Sequence, residues 1–276
     1  MYALDFWIGV LKFLDTRMET PQPYGIFHLL SFAFYIALAV VLCATHKKGD
    51  DRRVNRVVRV IAITTLVLEI YKQLNFGFGY ADGKITFDYA WYAFPWQFCS
   101  TPMYAGLLAA FTRKGKFHDA VCAYLATFSI FAGVCVMFYP TTVFVGTIGI
   151  NIQTMFCHGT MITLGVYLLY SGYVKLEHKT ILKALPVFLA AVAMAMVMNE
   201  IAYQSGLLAT DEFNMFFISP YCEPSLALFS LIQPLVPFAV SIVIYVAGFT
   251  LAAYLILLAA MGIAKLAARK KPALTV

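Results

Sequence analysis

Seven long apolar runs, separated by short polar connections, dominate this 276-residue chain. An α-helix needs roughly 20 apolar residues to cross a hydrocarbon core about 30 Å thick. Inside that core every backbone N–H and C=O must find a partner without water, so isolated runs of this length fold as helices. The runs fall at about 24–45, 55–76, 97–112, 118–139, 148–172, 181–204 and 234–264. They predict an all-α, polytopic membrane protein of about seven transmembrane helices. Composition points the same way, with 62% hydrophobic and 12% charged residues, where soluble chains carry about 45–50% and 25%. Three parts follow: an interfacial N-terminal segment at 1–23, the seven-helix domain at 24–264 and a basic tail at 265–276.

Lys and Arg set the orientation of such a bundle, because they are retained on the cytoplasmic side. Lys47, Lys48, Arg52, Arg53, Arg56 and Arg59 crowd the first connection. Arg113, Lys114 and Lys116, then Lys175, Lys179 and Lys183, then Lys265, Arg269, Lys270 and Lys271 fall on the same face. The opposite face holds Lys12, Arg17 and Lys84. The N-terminus is therefore expected outside and the C-terminus in the cytoplasm of a multi-pass cell-membrane protein. Phe6, Trp7, Val10, Phe13 and Leu14 recur at helical spacing and predict an interfacial helix over 2–14. Asp5 sits where a signal peptide needs basic residues, so the first residues are not read as one. The net charge of +6 lies in these short connections, which argues against nucleic acid as a partner. The six cysteines (43, 99, 122, 135, 157 and 222) show no Cys-x-x-Cys spacing, so neither a zinc site nor a disulfide framework is expected.

Ionisable groups within a span are costly and mark function unless paired. Here they gather at one depth. Glu69, Lys72, Gln73 and Asn75 end the second span, and Gln97 and Cys99 open the third. Asn151, Gln153 and His158 occupy the first half of the fifth, while Asn199, Glu200 and Gln204 end the sixth. His28 lies at the outer end of the first. One outward-opening polar cavity is expected, with the Phe-, Met- and Pro-rich segment 205–233 folded over it. Glu69 and Lys72, three residues apart, read equally as a self-neutralising pair. Trp91, Tyr92 and Trp96 suit an interfacial belt.

Two of these residues are candidates for a nucleophile–base pair, although a lone histidine on a membrane helix reads also as a structural hydrogen-bonding residue. Thr101-Pro102 reads as a cap and first helical position, placing Cys99 beside a helix N-terminus, where the dipole favours a thiolate. His158 is the sole histidine deep within a predicted span, and a neutral imidazole can take a thiol proton and return it to a leaving alkoxide.

Phe94-Pro95-Trp96-Gln97-Phe98-Cys99, Cys157-His158, and Asn214-Met215-Phe216-Phe217 through Pro224-Ser225-Leu226 with Gln233-Pro234 resemble the YwaF family of bacterial integral membrane proteins. That family is similar to eukaryotic transmembrane acyltransferases that make ether phospholipids. Gln97 stands near a position where many relatives are expected to carry histidine. The resemblance implies a phospholipid acyltransferase or hydrolase with Cys99 as nucleophile and His158 as general base. Glu69 or Asn199 would orient the imidazole, and Gln97 or Gln153 would donate to an oxyanion. Membrane phospholipids and lysophospholipids are the implied partners, with no metal and no cofactor. The other function class is a transporter, channel or receptor using the same cavity. A rhodopsin is excluded, since span 234–264 has no lysine for retinal. Nothing in the sequence sets an oligomeric state.

Overall fold

The computed structural model describes residues 2–140, 143–206, 208, 213–226 and 228–269. Its helices are α1 (Tyr2–Leu14), α2 (Ile26–Ala44), α3 (Asp51–Gly77), α4 (Thr101–Phe111), α5 (Lys116–Leu125), α6 (Phe128–Phe138), α7 (Ile148–Tyr170), α8 (Lys179–Ser205), α9 (Phe229–Ile232) and α10 (Phe238–Arg269). Five stretches are long and apolar enough to cross a membrane: α2, α5 with α6, α7, α8 and α10. The protein is a mostly helical membrane protein. Helix α3 has the length but carries Arg52, Arg53, Arg56 and Arg59 at one end and Glu69, Lys72, Gln73 and Asn75 at the other. Helix α4 has 11 residues, about 16 Å at 1.5 Å per residue. The basic tail expected from 265 is, as far as Arg269, the end of α10; Lys270 and Lys271 lie outside the described residues.

Two local features depart from the expected pattern. Residues 118–139 are not one helix. The backbone leaves the helical region at Thr127, whose Oγ1 donates to the Ala123 carbonyl instead (2.7 Å), a competition that Thr side chains offer the helix ladder. The chain is also not purely α-helical. Strands β1 (Phe78–Ala81) and β2 (Lys84–Phe87) form an antiparallel hairpin closed by Asp82-Gly83. Both turn residues have positive φ (49° and 71°), as a type I′ turn demands, and Asp-Gly is a preferred pair for it.

Helix α7 is the hub, packed against α2, α3, α5 and α6. Its glycines let neighbours approach, as small residues do in membrane bundles. A Cβ on Gly159 would lie 2.1 Å from the Tyr35 ring, and one on Gly165 would lie 2.2 Å from Ile130 Cγ1 and 2.7 Å from the Leu125 carbonyl oxygen. Gly165→Ala is therefore expected to cost about 1–3 kcal/mol through overpacking. A lowered unfolding temperature in detergent would record it, and an unchanged one would mean that the α5–α6 break can move aside.

The end of the bundle that carries α1 is tied together by side chains. Tyr71 Oη and Asn75 Nδ2 both donate to the Leu14 carbonyl (2.8 and 3.2 Å), which anchors α1 to α3. His28 is buried. Its Nδ1 accepts from the Tyr24 N–H (3.1 Å) and its Nε2 donates to the Met137 carbonyl (3.0 Å). It is a clamp between α2 and α6, with both ring nitrogens satisfied.

Candidate functional site

The residues Phe94–Ser100 enter α4 without regular structure. Aromatic packing fixes this entry. The Phe98 ring meets Phe131, Phe188, Phe216 and Phe249 at centroid distances of 5.0–6.2 Å. The Gln97 carbonyl accepts the N–H groups of Ser100 and Thr101 (2.8 and 3.2 Å), and Thr101 Oγ1 donates to the Phe98 carbonyl (2.8 Å). Helix α4 begins at Thr101 with Ser100 in the cap position, one residue earlier than Thr101-Pro102 alone suggests. Cys99 thus stands just outside the helix start, held between two anchored neighbours.

A cavity of about 280 Å³ opens beside it. Cys99, His158, Glu69, Gln97, Gln153 and Lys72 all line it. Ligand pockets usually measure about 300–1,000 Å³, so this space is at the small end of that range. Apolar walls come from Phe76, Met103, Val143 and Ile150, and Tyr92, 61% exposed, stands on its edge. Of the three aromatics assigned to an interfacial belt, Tyr92 alone is exposed. Trp96 donates its indole N–H to the Ala191 carbonyl (3.2 Å), and Trp91 packs against Tyr89 and Phe213.

His158 is 7% exposed. Its Nδ1 lies 2.8 Å from the Thr154 carbonyl. A carbonyl only accepts, so in the neutral ring Nδ1 carries the hydrogen and Nε2 presents its lone pair. Nε2 is buried and has no hydrogen-bond partner among the described residues. The backbone of α7 therefore orients the imidazole, and neither Glu69 nor Asn199 does so.

The Glu69 carboxylate has three donors: Gln73 Nε2 (2.7 Å), Lys72 Nζ (2.9 Å) and Gln153 Nε2 (3.3 Å). Gln73 also donates to the Ala93 carbonyl (3.0 Å) and accepts from the Tyr89 hydroxyl. Gln153 reaches Cys157 Sγ as well (3.3 Å). Cys157 packs with Ala132 and Met161.

Asn199 is outside the cavity lining. Its Nδ2 donates to the Met215 carbonyl (3.0 Å) and its Oδ1 accepts the Met215 N–H (2.7 Å). Gln97 grips the same segment, donating to the Asn214 carbonyl (2.9 Å) and accepting the Phe216 N–H (3.0 Å). The gripped backbone is strained: Phe216 and Phe217 both have positive φ (60° and 57°), a state that bulky residues rarely adopt. Met215, Phe216 and Ile218 are fully buried. Part of the 205–233 segment thus packs into the bundle against the Cys99 entry; residues 207, 209–212 and 227 lie outside the described residues. The Asn199 and Gln97 carboxamides both serve as clamps on this segment, and the Gln153 amide is shared between Glu69 and Cys157. Sequence reasoning missed the Thr154 carbonyl and these clamps, since nothing local marks them.

No curated protein and no solved structure matches the chain. A family model does, over residues 20–260. That match runs from the approach to α2 well into α10 and includes every residue of the cavity lining, so the chain belongs to the TMEM164 family.

Proposed function

We propose that the protein is a lipid acyltransferase of the cell membrane, with Cys99 and His158 as its reacting pair. The observation that carries this reading is the orphaned Nε2 of His158, buried at the wall of the cavity that Cys99 also lines. Buried polar atoms are nearly always paired. A lone pair left open in a cavity that a thiol also lines, on a ring whose other nitrogen is fixed by backbone, has the form of a general base. The resemblance of 94–99 and 157–158 to the YwaF family, and through it to ether-phospholipid acyltransferases, supports the same chemistry.

The reaction has two halves. The Cys99 proton passes to His158 Nε2, and the thiolate attacks the acyl carbonyl of a phospholipid. The ester C–O bond breaks, the leaving alkoxide takes the proton from His158, and a lysophospholipid departs. The acyl group remains as a thioester. A lysophospholipid hydroxyl, or water, then gives its proton to His158 and attacks that thioester. The C–S bond breaks and the thiolate regains the proton. The small cavity suits the ester group, with the acyl chains left in the surrounding lipid.

In this reading the chain crosses the membrane seven times, α3 and α4 joining the five long apolar stretches. The irregular residues 94–100 complete the short α4 crossing. The basic connections face the cytoplasm, the N-terminus is outside, and the cavity opens toward the outer leaflet. The full similarity to the ether-lipid enzymes, including a phospholipid donor, belongs to this proposal.

Purified protein incubated with a phospholipid bearing an isotopically labelled acyl chain, then quenched in acid, tests it. The expected result is a mass increase of one acyl group on Cys99, removed by hydroxylamine, together with label in added lysophospholipid. Neither adduct nor exchange, across donors of varied head group and chain, would overturn the acyltransferase reading in favour of a transporter, channel or receptor.

A further inference from the structure

The cavity holds one group that the acyl-transfer steps do not use. Lys72 lines it and is largely buried, with a side-chain exposure of 15%. Its ammonium pairs with Glu69 Oε1 at 2.9 Å. An ammonium has three donors, and no acceptor is found among the described residues for the other two. Glu69 differs, because Gln73 and Gln153 add two further donors to its carboxylate, which with Lys72 fill three of its roughly four acceptor sites. The pair is thus unequal: the carboxylate is mostly satisfied by protein, and the ammonium has one partner among the described residues.

We propose that Lys72 is an anion-recognition residue, binding the oxyanion of an amphiphile whose acyl ester or carboxyl carbon lies between Cys99 and His158. Charge-assisted hydrogen bonds from a partly desolvated ammonium to an oxyanion are among the stronger polar contacts available. The glutamines, the other expected oxyanion donors, each already hold a protein acceptor and carry no charge. Lys72 is the sole cationic side chain among the lining residues. His158 Nε2, buried in the same cavity and without a partner among the described residues, marks it as one that completes its polar contacts with a ligand. The ligand chemistry is an oxyanion attached to a long apolar chain. A lipid phosphate and a fatty-acid carboxylate both provide it. The inference rests on the acyl-transfer reading only for the placing of the reacting carbon, and ligand binding can be measured without turnover.

The experiment follows alkylation of Cys99 in the full-length protein in detergent, by peptide mass mapping, with exposed Cys135 as reference. Three amphiphiles of one chain length compete: a lysophosphatidic acid, a free fatty acid and the neutral monoacylglycerol. The reading is the ratio of Cys99 alkylation rates with and without lipid, so a changed thiol reactivity cancels. An anionic lipid should protect Cys99 at concentrations at least about tenfold below the monoacylglycerol, the difference expected for one charged hydrogen bond. Protection by the phosphate alone identifies a phospholipid head group, and protection by the carboxylate alone identifies a fatty acid. Lys72→Met should erase the preference. Because that variant leaves Glu69 without its cation, Glu69→Gln combined with Lys72→Met is the second test, and it too should treat the three lipids alike. Equal protection by the monoacylglycerol in the unaltered protein, no protection by any lipid, or a preference that survives in the double variant would each overturn the proposal. Protection without acyl transfer would overturn the acyltransferase reading and leave Lys72 as the anion site.

Discussion

Cys99→Ser is expected to reduce acyl exchange to background, and His158→Ala to reduce it by about 10²–10⁴, the usual worth of a positioned general base. A thiol is intrinsically far more acidic than a serine hydroxyl, which holds its proton more tightly and makes a poorer leaving group from the acyl-enzyme. Both variants should fold. His158 makes its one side-chain hydrogen bond to a carbonyl four residues earlier in its own helix, so its loss leaves no donor stranded elsewhere. Cys99 is flanked by the Phe98 aromatic contacts and the Gln97 clamp, which the substitution does not touch. The double variant should be no slower than Cys99→Ser, since groups acting as one unit are not additive. Cys157→Ala, altering a packing cysteine next to the base, should retain near-normal exchange. Mass spectrometry of donor and acceptor lipids reads all four. Full exchange in Cys99→Ser would remove the covalent intermediate at Cys99, and loss of exchange only in Cys157→Ala would move the nucleophile from the α4 entry to Cys157 on α7.

The helices were legible because the bilayer leaves so few alternatives. Six of the seven predicted apolar runs, 97–112 and 181–204 among them, coincide with a single helix to within a few residues, while 118–139 divides into α5 and α6. Polar depth also carried information: Glu69, Gln97, Cys99, Gln153 and His158, from three different elements, line one cavity. Failures came where a local signal was present but outranked, or where the partner was distant. Asp82-Gly83 is a strong hairpin signal, yet it lies between two spans and reads there as a plain connection. Asn199 looked like a member of the cavity because it shares its depth with Glu69. Depth along a helix does not give azimuth, and its side chain faces Met215 instead. Gln97 lines the cavity as expected, but its carboxamide is held by a strained segment more than a hundred residues away. Positive φ at Phe216 and Phe217 has no counterpart in residue type, since phenylalanine is a poor choice for it. Only the surrounding clamps make that backbone tenable, at about 1–3 kcal/mol per strained residue.

Glu69→Ala should be the most destabilising single change in the cavity wall, by about 3–5 kcal/mol, the cost of stranding one member of a buried ion pair. Glu69 is 6% exposed and anchors Lys72, Gln73 and Gln153 at once. Its removal leaves a buried cation and two amide donors short of an acceptor, and it unties α3 from α7 at the level of His158. Glu69→Gln combined with Lys72→Met removes both charges while keeping a side-chain carbonyl for Gln73 and Gln153 to meet. That double variant should recover much of the loss, because replacing a whole buried pair is far milder than breaking it. Equilibrium or thermal unfolding in detergent, run as a cycle through Glu69→Gln, Lys72→Met and the double, isolates the coupling between the two charges. Strong coupling, with each single variant less stable than the double, is the expected pattern. Additive losses would mean that water solvates both charges independently, and the cavity wall would then be held by the glutamine contacts alone.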